Sequence, residues 1–201
     1  MRLGVSAALV DGELLDGDVT IEEGVVAAVG VRPAGPGGTA VPGYVDVHIN
    51  GVAGVDFLTT DVAGLRRAAE ALAATGIVAF QPTLVPSRAD AYREPLEVAA
   101  EVSRQDDLLP RVIGVHLEGP FLSPHWAGAH DPAHLRPPDP ALAARLCALG
   151  PVTMMTLAPE LPGAFELIDL LHERGVVVSC GHSDATAEQA AAAFDRGVGT
   201  V

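Results

Sequence analysis

The chain has 201 residues, 49% of them apolar, which is enough to bury a real core and too apolar for a disordered segment. Its 12 basic residues, all Arg, face 26 acidic ones for a formal net charge of −14. Without a basic cluster such a chain is a poor binder of nucleic acid or of anionic membranes, so small molecules or proteins are the expected partners.

From Ser6 to about Gly30, short apolar runs are punctuated by Asp11-Gly12, Asp16-Gly17 and Glu23-Gly24, the signature of a small antiparallel meander with tight turns. Residues 31–43, VRPAGPGGTAVPG, hold four Gly and three Pro and suit an irregular connector. A boundary near residue 42 follows, giving a front segment 1–42 and a second unit 43–201.

The rhythm then changes. Tyr44 to Ile49 reads as a strand, and Leu65, Ala68, Ala69, Leu72 and Ala73 recur at helical spacing up to the stop at Thr75-Gly76. Ile77 to Leu84 is a strand, and Ala91 to Gln105 is helical. Val112 to His116 is a strand, followed by a long loop rich in Pro, Gly and His up to Asp139. Helices at Ala141–Leu149, Phe165–Arg174 and Ala187–Arg196 then alternate with strands at Val152–Leu157 and Val176–Cys180. A sixth strand opens at Gly199. Strands joined through helices pair in parallel, and their near-continuous apolar character suits a sheet covered on both faces. An open doubly wound sheet and a TIM barrel both satisfy this pattern, but a barrel needs eight βα units and the chain supplies five and part of a sixth.

In either architecture functional groups collect at the carboxyl ends of the strands. The first strand ends in Asp46-Val47-His48-Ile49-Asn50, the third in His116-Leu117-Glu118-Gly119-Pro120, and the fifth in Cys180-Gly181-His182-Ser183-Asp184. Imidazoles with a carboxylate are a donor set for a divalent cation. Each piece has a plain alternative: His48 as a hydrogen-bonded core histidine, Glu118 as the partner of an Arg, and His182 as part of a turn into a helix capped by Thr186 and Gln189. The loop Phe121–Arg136 adds His125, Trp126, His130 and His134. The start of the chain lacks a signal-peptide pattern, apolar runs fall short of the ~18 residues of a membrane helix, and Cys147 and Cys180 match no disulfide framework. The expected location is the cytoplasm.

Taken together, VPGYVDVHINGVAGVDF at 41–57, GVHLEGPFLSPHWAGAHDPAHLR at 114–136, TLAPE at 156–160 and GHSDAT at 181–186 resemble the N-acetylglucosamine-6-phosphate deacetylase family of the amidohydrolases. The resemblance implies an α/β fold: a partial TIM barrel of five βα units over 43–201, beside a β-sandwich segment at 1–42. It implies a divalent metal cofactor (Zn, Fe or Mn) held by Glu118 and His182, with His48 as a further candidate ligand, and sugar contacts from Ala129 and His130. The H-x-H pair of many amidohydrolases reads His48-x-Asn50 here, one histidine fewer for a second ion. The implied reaction converts N-acetylglucosamine 6-phosphate to glucosamine 6-phosphate and acetate, with a homodimer as the whole enzyme. The family's Thr-His segment, its phosphate-binding Arg and its acid/base Asp lie beyond what these residues match, so the chain is expected to be a fragment that is inactive by itself. Alternatives are another N-acetylated amino sugar or cyclic amide as substrate, and a non-catalytic remnant of the scaffold.

Overall fold

The computed structural model describes residues 1–105 and 107–201, which fall into two units, Met1–Tyr44 and Val45–Val201. In the first unit β1 (Val5–Val10) pairs antiparallel with β2 (Glu13–Asp16), and β3 (Asp18–Glu22) with β4 (Val25–Val31). Both hairpins turn where the sequence places Asp-Gly and Glu-Gly. Asp11 and Gly12 have φ of 50° and 83°, and Glu23 and Gly24 have 50° and 80°, the left-handed pair that a two-residue hairpin turn demands.

The expected irregular connector is corrected in one respect. Within it β5 (Gly37–Ala40) forms and pairs parallel with β1, Ala7 beside Thr39. The glycine content argued against a strand, yet the ladder of donors and acceptors that β1 offers outweighs the entropy lost in extending Gly37 and Gly38.

In the second unit β6 (Tyr44–Ile49) leads into a small hairpin of β7 (Gly51–Val52) and β8 (Val55–Asp56). The βα alternation follows: α1 (Val62–Ala73), β9 (Ile77–Leu84), α2 (Arg93–Val102), β10 (Arg111–Val112), β11 (Val115–Glu118), α3 (Pro140–Leu149), β12 (Val152–Leu157), α4 (Ala164–Glu173), β13 (Val177–Cys180), α5 (Ala187–Asp195) and β14 (Val198–Thr200). β9, β11, β12, β13 and β14 pair in parallel in that order, β10 lies parallel to the start of β9, and β6 pairs with β9 on its other side. The sheet curls into a parallel half-barrel: of the two architectures that the alternation of elements allowed, it is the one the family resemblance implied.

The strand read as Val112–His116 is in fact two pieces. At the break Gly114 has φ of +140° and its position leaves no room for a Cβ, which would sit 2.0 Å from Thr153 Oγ1. The chain therefore steps past β12 there, and the second piece runs on as far as Glu118.

Period-two alternation sorts the side chains into two layers. Leu117, Met155, Leu157 and Val178 join a core with the apolar stripes of the helices, among them Leu65 and Leu72 of α1, Leu96 of α2, Leu146 of α3 and Leu167 and Leu171 of α4, all nearly inaccessible. Each such buried leucine contributes about 2 kcal/mol. The alternate positions, Glu118, Met154, Thr156, Val177 and Ser179, line an open cavity of about 540 Å³ on the inner face. The same alternation that builds the core thus delivers the polar groups to the concave side.

Candidate metal centre

Glu118 ends β11 and is 6% exposed. Its two oxygens serve two sets of partners. Oε2 accepts from Asn50 Nδ2 at 3.0 Å and lies 3.2 Å from His48 Nε2. Oε1 lies 3.1 Å from His182 Nε2 and 3.3 Å from His130 Nε2. The strand ends read from the sequence are therefore brought together: His48 from β6, Glu118 from β11, and His182 just past β13. His130 comes from the long loop, with Ala129 exposed in the turn before it.

Burial alone would raise the Glu118 carboxyl. The Asn50 amide, the His48 and His130 imidazoles and the His182 hydrogen bond more than offset that and bring it down to about 2. The carboxylate is thus ionised at any ordinary pH and available to a cation.

His182 Nδ1 faces the carbonyl oxygen of Trp126 at 2.9 Å. A carbonyl can only accept, so Nδ1 carries a proton, and Nε2 on the other side of the ring faces Glu118 Oε1. A carboxylate oxygen and a ring nitrogen 3.1 Å apart are joined by a proton or by a cation between them. A backbone carbonyl on the far nitrogen is the usual way a ligating imidazole is oriented. His130 Nε2 is a second sign: it is buried and has no hydrogen-bond partner among the described residues, being close to Glu118 but not aligned to bond with it. Donors about 2.1 Å from a tetrahedral ion stand roughly 3.4 Å apart. The ligand atoms of Glu118, His130 and His182 all lie within 4.8 Å of one another, so the group fits a divalent ion with mixed nitrogen and oxygen donors.

His116 was quoted from the sequence only as part of a motif, and its environment makes it a structural neighbour of the site. Its ring is fully buried between Thr83 Oγ1 at 3.2 Å and Thr156 Oγ1 at 2.8 Å, edge-on to His48 at 4.8 Å. Desolvation, together with the neighbouring His48, lowers it to about 4, so it stands as a neutral wall. Thr83 Oγ1 also accepts from Ile49 N at 3.0 Å, which ties β6 to β9 beside His48. Gly128 is the other residue that sequence reasoning did not isolate. A Cβ there would press on His182 Cε1 at 3.2 Å, and its φ is +63°, so the loop passes over the imidazole only because that side chain is absent.

A half-barrel with a carboxylate and imidazoles converging at the carboxyl ends of its strands defines a parallel α/β barrel protein with a candidate cation site. It is 39% identical over 193 residues to the N-acetylglucosamine-6-phosphate deacetylase of Mus musculus, covering 92% of this chain and 47% of that protein. The chain belongs to the N-acetylglucosamine-6-phosphate deacetylase family. A second relative, the N-acetylgalactosamine-6-phosphate deacetylase of Escherichia coli O157:H7, is 33% identical over 193 residues, with 93% of this chain and 51% of that protein covered. The crystal structure of N-acetyl-D-glucosamine-6-phosphate deacetylase from Mycobacterium smegmatis superposes with a TM-score of 0.87 at 33% identity, covering 98% of this chain and 58% of that one. A mutant of that enzyme, solved in complex with N-acetyl-D-glucosamine-6-phosphate, gives a TM-score of 0.82 at 33% identity over 98% and 54% of the two chains. No protein-family model matches the chain. The chain spans about half the length of the curated relatives it matches.

Proposed function

We propose that this chain supplies the cation-holding and sugar-facing part of a site that hydrolyses the acetamide of N-acetylglucosamine 6-phosphate, releasing acetate and glucosamine 6-phosphate. The observation that carries the reading is the meeting of Glu118 Oε1 with His182 Nε2, at 3.1 Å, in a chain whose relatives are deacetylases of amino-sugar phosphates. Glu118 and His182 are the assigned metal ligands, and His48, 3.2 Å from Glu118 Oε2, is a further candidate. Zinc, iron and manganese all suit such donors. When bound, a divalent cation supplies Lewis acidity and lowers the pKa of water towards neutrality.

The remaining steps belong to side chains of this chain. Trp126 O keeps the His182 proton on Nδ1, and Asn50 holds Glu118 Oε2 so that the carboxylate plane is fixed. His130, with Ala129 before it in the same turn, is assigned to sugar contact at the edge of the cation group. The front segment 1–42 is assigned to a β-sandwich and residues 43–201 to the barrel. Among the described side chains that line the cavity Glu118 is the one carboxylate and none is an arginine; the 201 residues by themselves are proposed to release no acetate.

The cytoplasmic setting and a homodimeric whole enzyme remain part of the proposal. The first is supported by two free cysteines, Cys147 and Cys180, and no helix among the described residues is long and apolar enough to cross a membrane. The Escherichia coli relative favours a second reading, in which the substrate is N-acetylgalactosamine 6-phosphate, differing in the configuration of one hydroxyl. Acetate release by the whole protein, loaded with Zn²⁺, Mn²⁺ or Fe²⁺ in turn and offered each sugar phosphate, tests both. Turnover of the glucosamine derivative, lost in Glu118→Ala, is the expected result, and a metal-loaded whole protein that deacetylates neither sugar contradicts the proposal.

A further inference from the structure

His182 adopts a φ of 50°, the left-handed region, which is strained for a non-glycine residue and persists only where the surroundings over-determine it. On one side Ser123 N donates to His182 O at 2.9 Å and Trp126 O receives the ring proton. On the other side stands Glu160, in the turn after β12. Its Oε2 accepts from Ser183 Oγ at 2.7 Å and its Oε1 accepts from Asp184 N at 2.7 Å. Ser183 Oγ accepts in turn from Ala185 N at 3.0 Å. A single carboxylate thus holds the two residues that directly follow the strained histidine, through charge-assisted bonds that are short and strong.

We propose that Glu160 is a positioning residue for the cation site: by clamping Ser183 and Asp184 it keeps His182 in its left-handed conformation and so aims Nε2 at Glu118 Oε1. The proposal rests on the reading of Glu118 and His182 as metal ligands. A carboxylate suits the task because it offers two acceptor oxygens side by side to a hydroxyl and a backbone N–H. Glutamine keeps one carbonyl acceptor for Asp184 N and an amide that can donate to Ser183 Oγ, whereas alanine keeps neither bond.

Titration of the 201-residue chain with Co²⁺, followed by the visible absorption of the bound ion, tests the assignment. Outer-shell partners of this kind alter metal affinity ten- to a hundredfold. Glu160→Ala is therefore expected to raise the Co²⁺ dissociation constant by about that factor and to alter the absorption band, while Glu160→Gln stays within a few-fold of the parent and restores the band. Ser183→Ala removes one of the two bonds to Glu160, together with the bond from Ala185 N, and keeps the one from Asp184 N; it is expected to weaken binding several-fold, and it keeps the test open if Glu160→Ala does not fold. Glu160→Ala binding Co²⁺ as tightly as the parent with the same spectrum overturns the assignment, as does an equal loss in Glu160→Ala and Glu160→Gln. A parent chain that takes up no Co²⁺, or a Glu118→Ala chain that takes up as much as the parent, overturns the metal reading itself, and the Glu160 assignment with it.

Discussion

Glu118 is a carboxylate that burial pushes towards protonation and that an amide and three imidazoles hold ionised at about 2. Its neighbour His116 is shifted in the sense that keeps it neutral, to about 4 against an ordinary 6.5. As the pH falls, the unfolded chain takes up the His116 proton first, so its contribution to stability is full above about 6.5 and is lost between about 6.5 and 4. The loss is on the order of 3 kcal/mol at most. Urea denaturation of the parent chain and of His116→Gln across that window is expected to converge towards acid, and parallel curves would show that the buried imidazole contributes no such dependence. Glu118, His182 and His48 were legible because strand ends in a parallel fold are where functional groups collect. His116 between two threonines, Gly128 over the His182 ring and Glu160 beneath Ser183 were not, since each depends on contacts between segments far apart in the chain. Nor does any local pattern announce a positive φ at a histidine.

At the scale of elements the sequence reading succeeded where a local rule was strong. The capping box expected of Thr186 and Gln189 is present: Thr186 Oγ1 accepts from Gln189 N, and Gln189 Oε1 accepts from Thr186 N at 2.8 Å. Thr186→Ala should lower the stability of the chain by about 1 kcal/mol, measured as a shift in the denaturation midpoint, whereas no shift would mean that α5 is held by packing alone. Because α5 follows directly on the turn that carries His182, this cap also fixes where that turn ends. Local rules failed where tertiary contact decided the outcome. β5 exists because β1 offers it a ladder, and the break between β10 and β11 exists because Thr153 occupies the space of a Gly114 side chain. Propensity carries no record of either neighbour.

Across the whole molecule, βα alternation and the motifs at the strand ends were enough to anticipate the parallel half-barrel and the family, since both rest on long periodic segments and on several motifs in the right order. The site stands or falls on one cation bound between Glu118 and His182, residues brought together from different parts of the curled sheet. Crystals grown with Zn²⁺ and measured at the zinc absorption edge provide the test. One anomalous peak is expected about 2.0–2.2 Å from both Glu118 Oε1 and His182 Nε2, and zinc located elsewhere, or no peak between those two side chains, would contradict it.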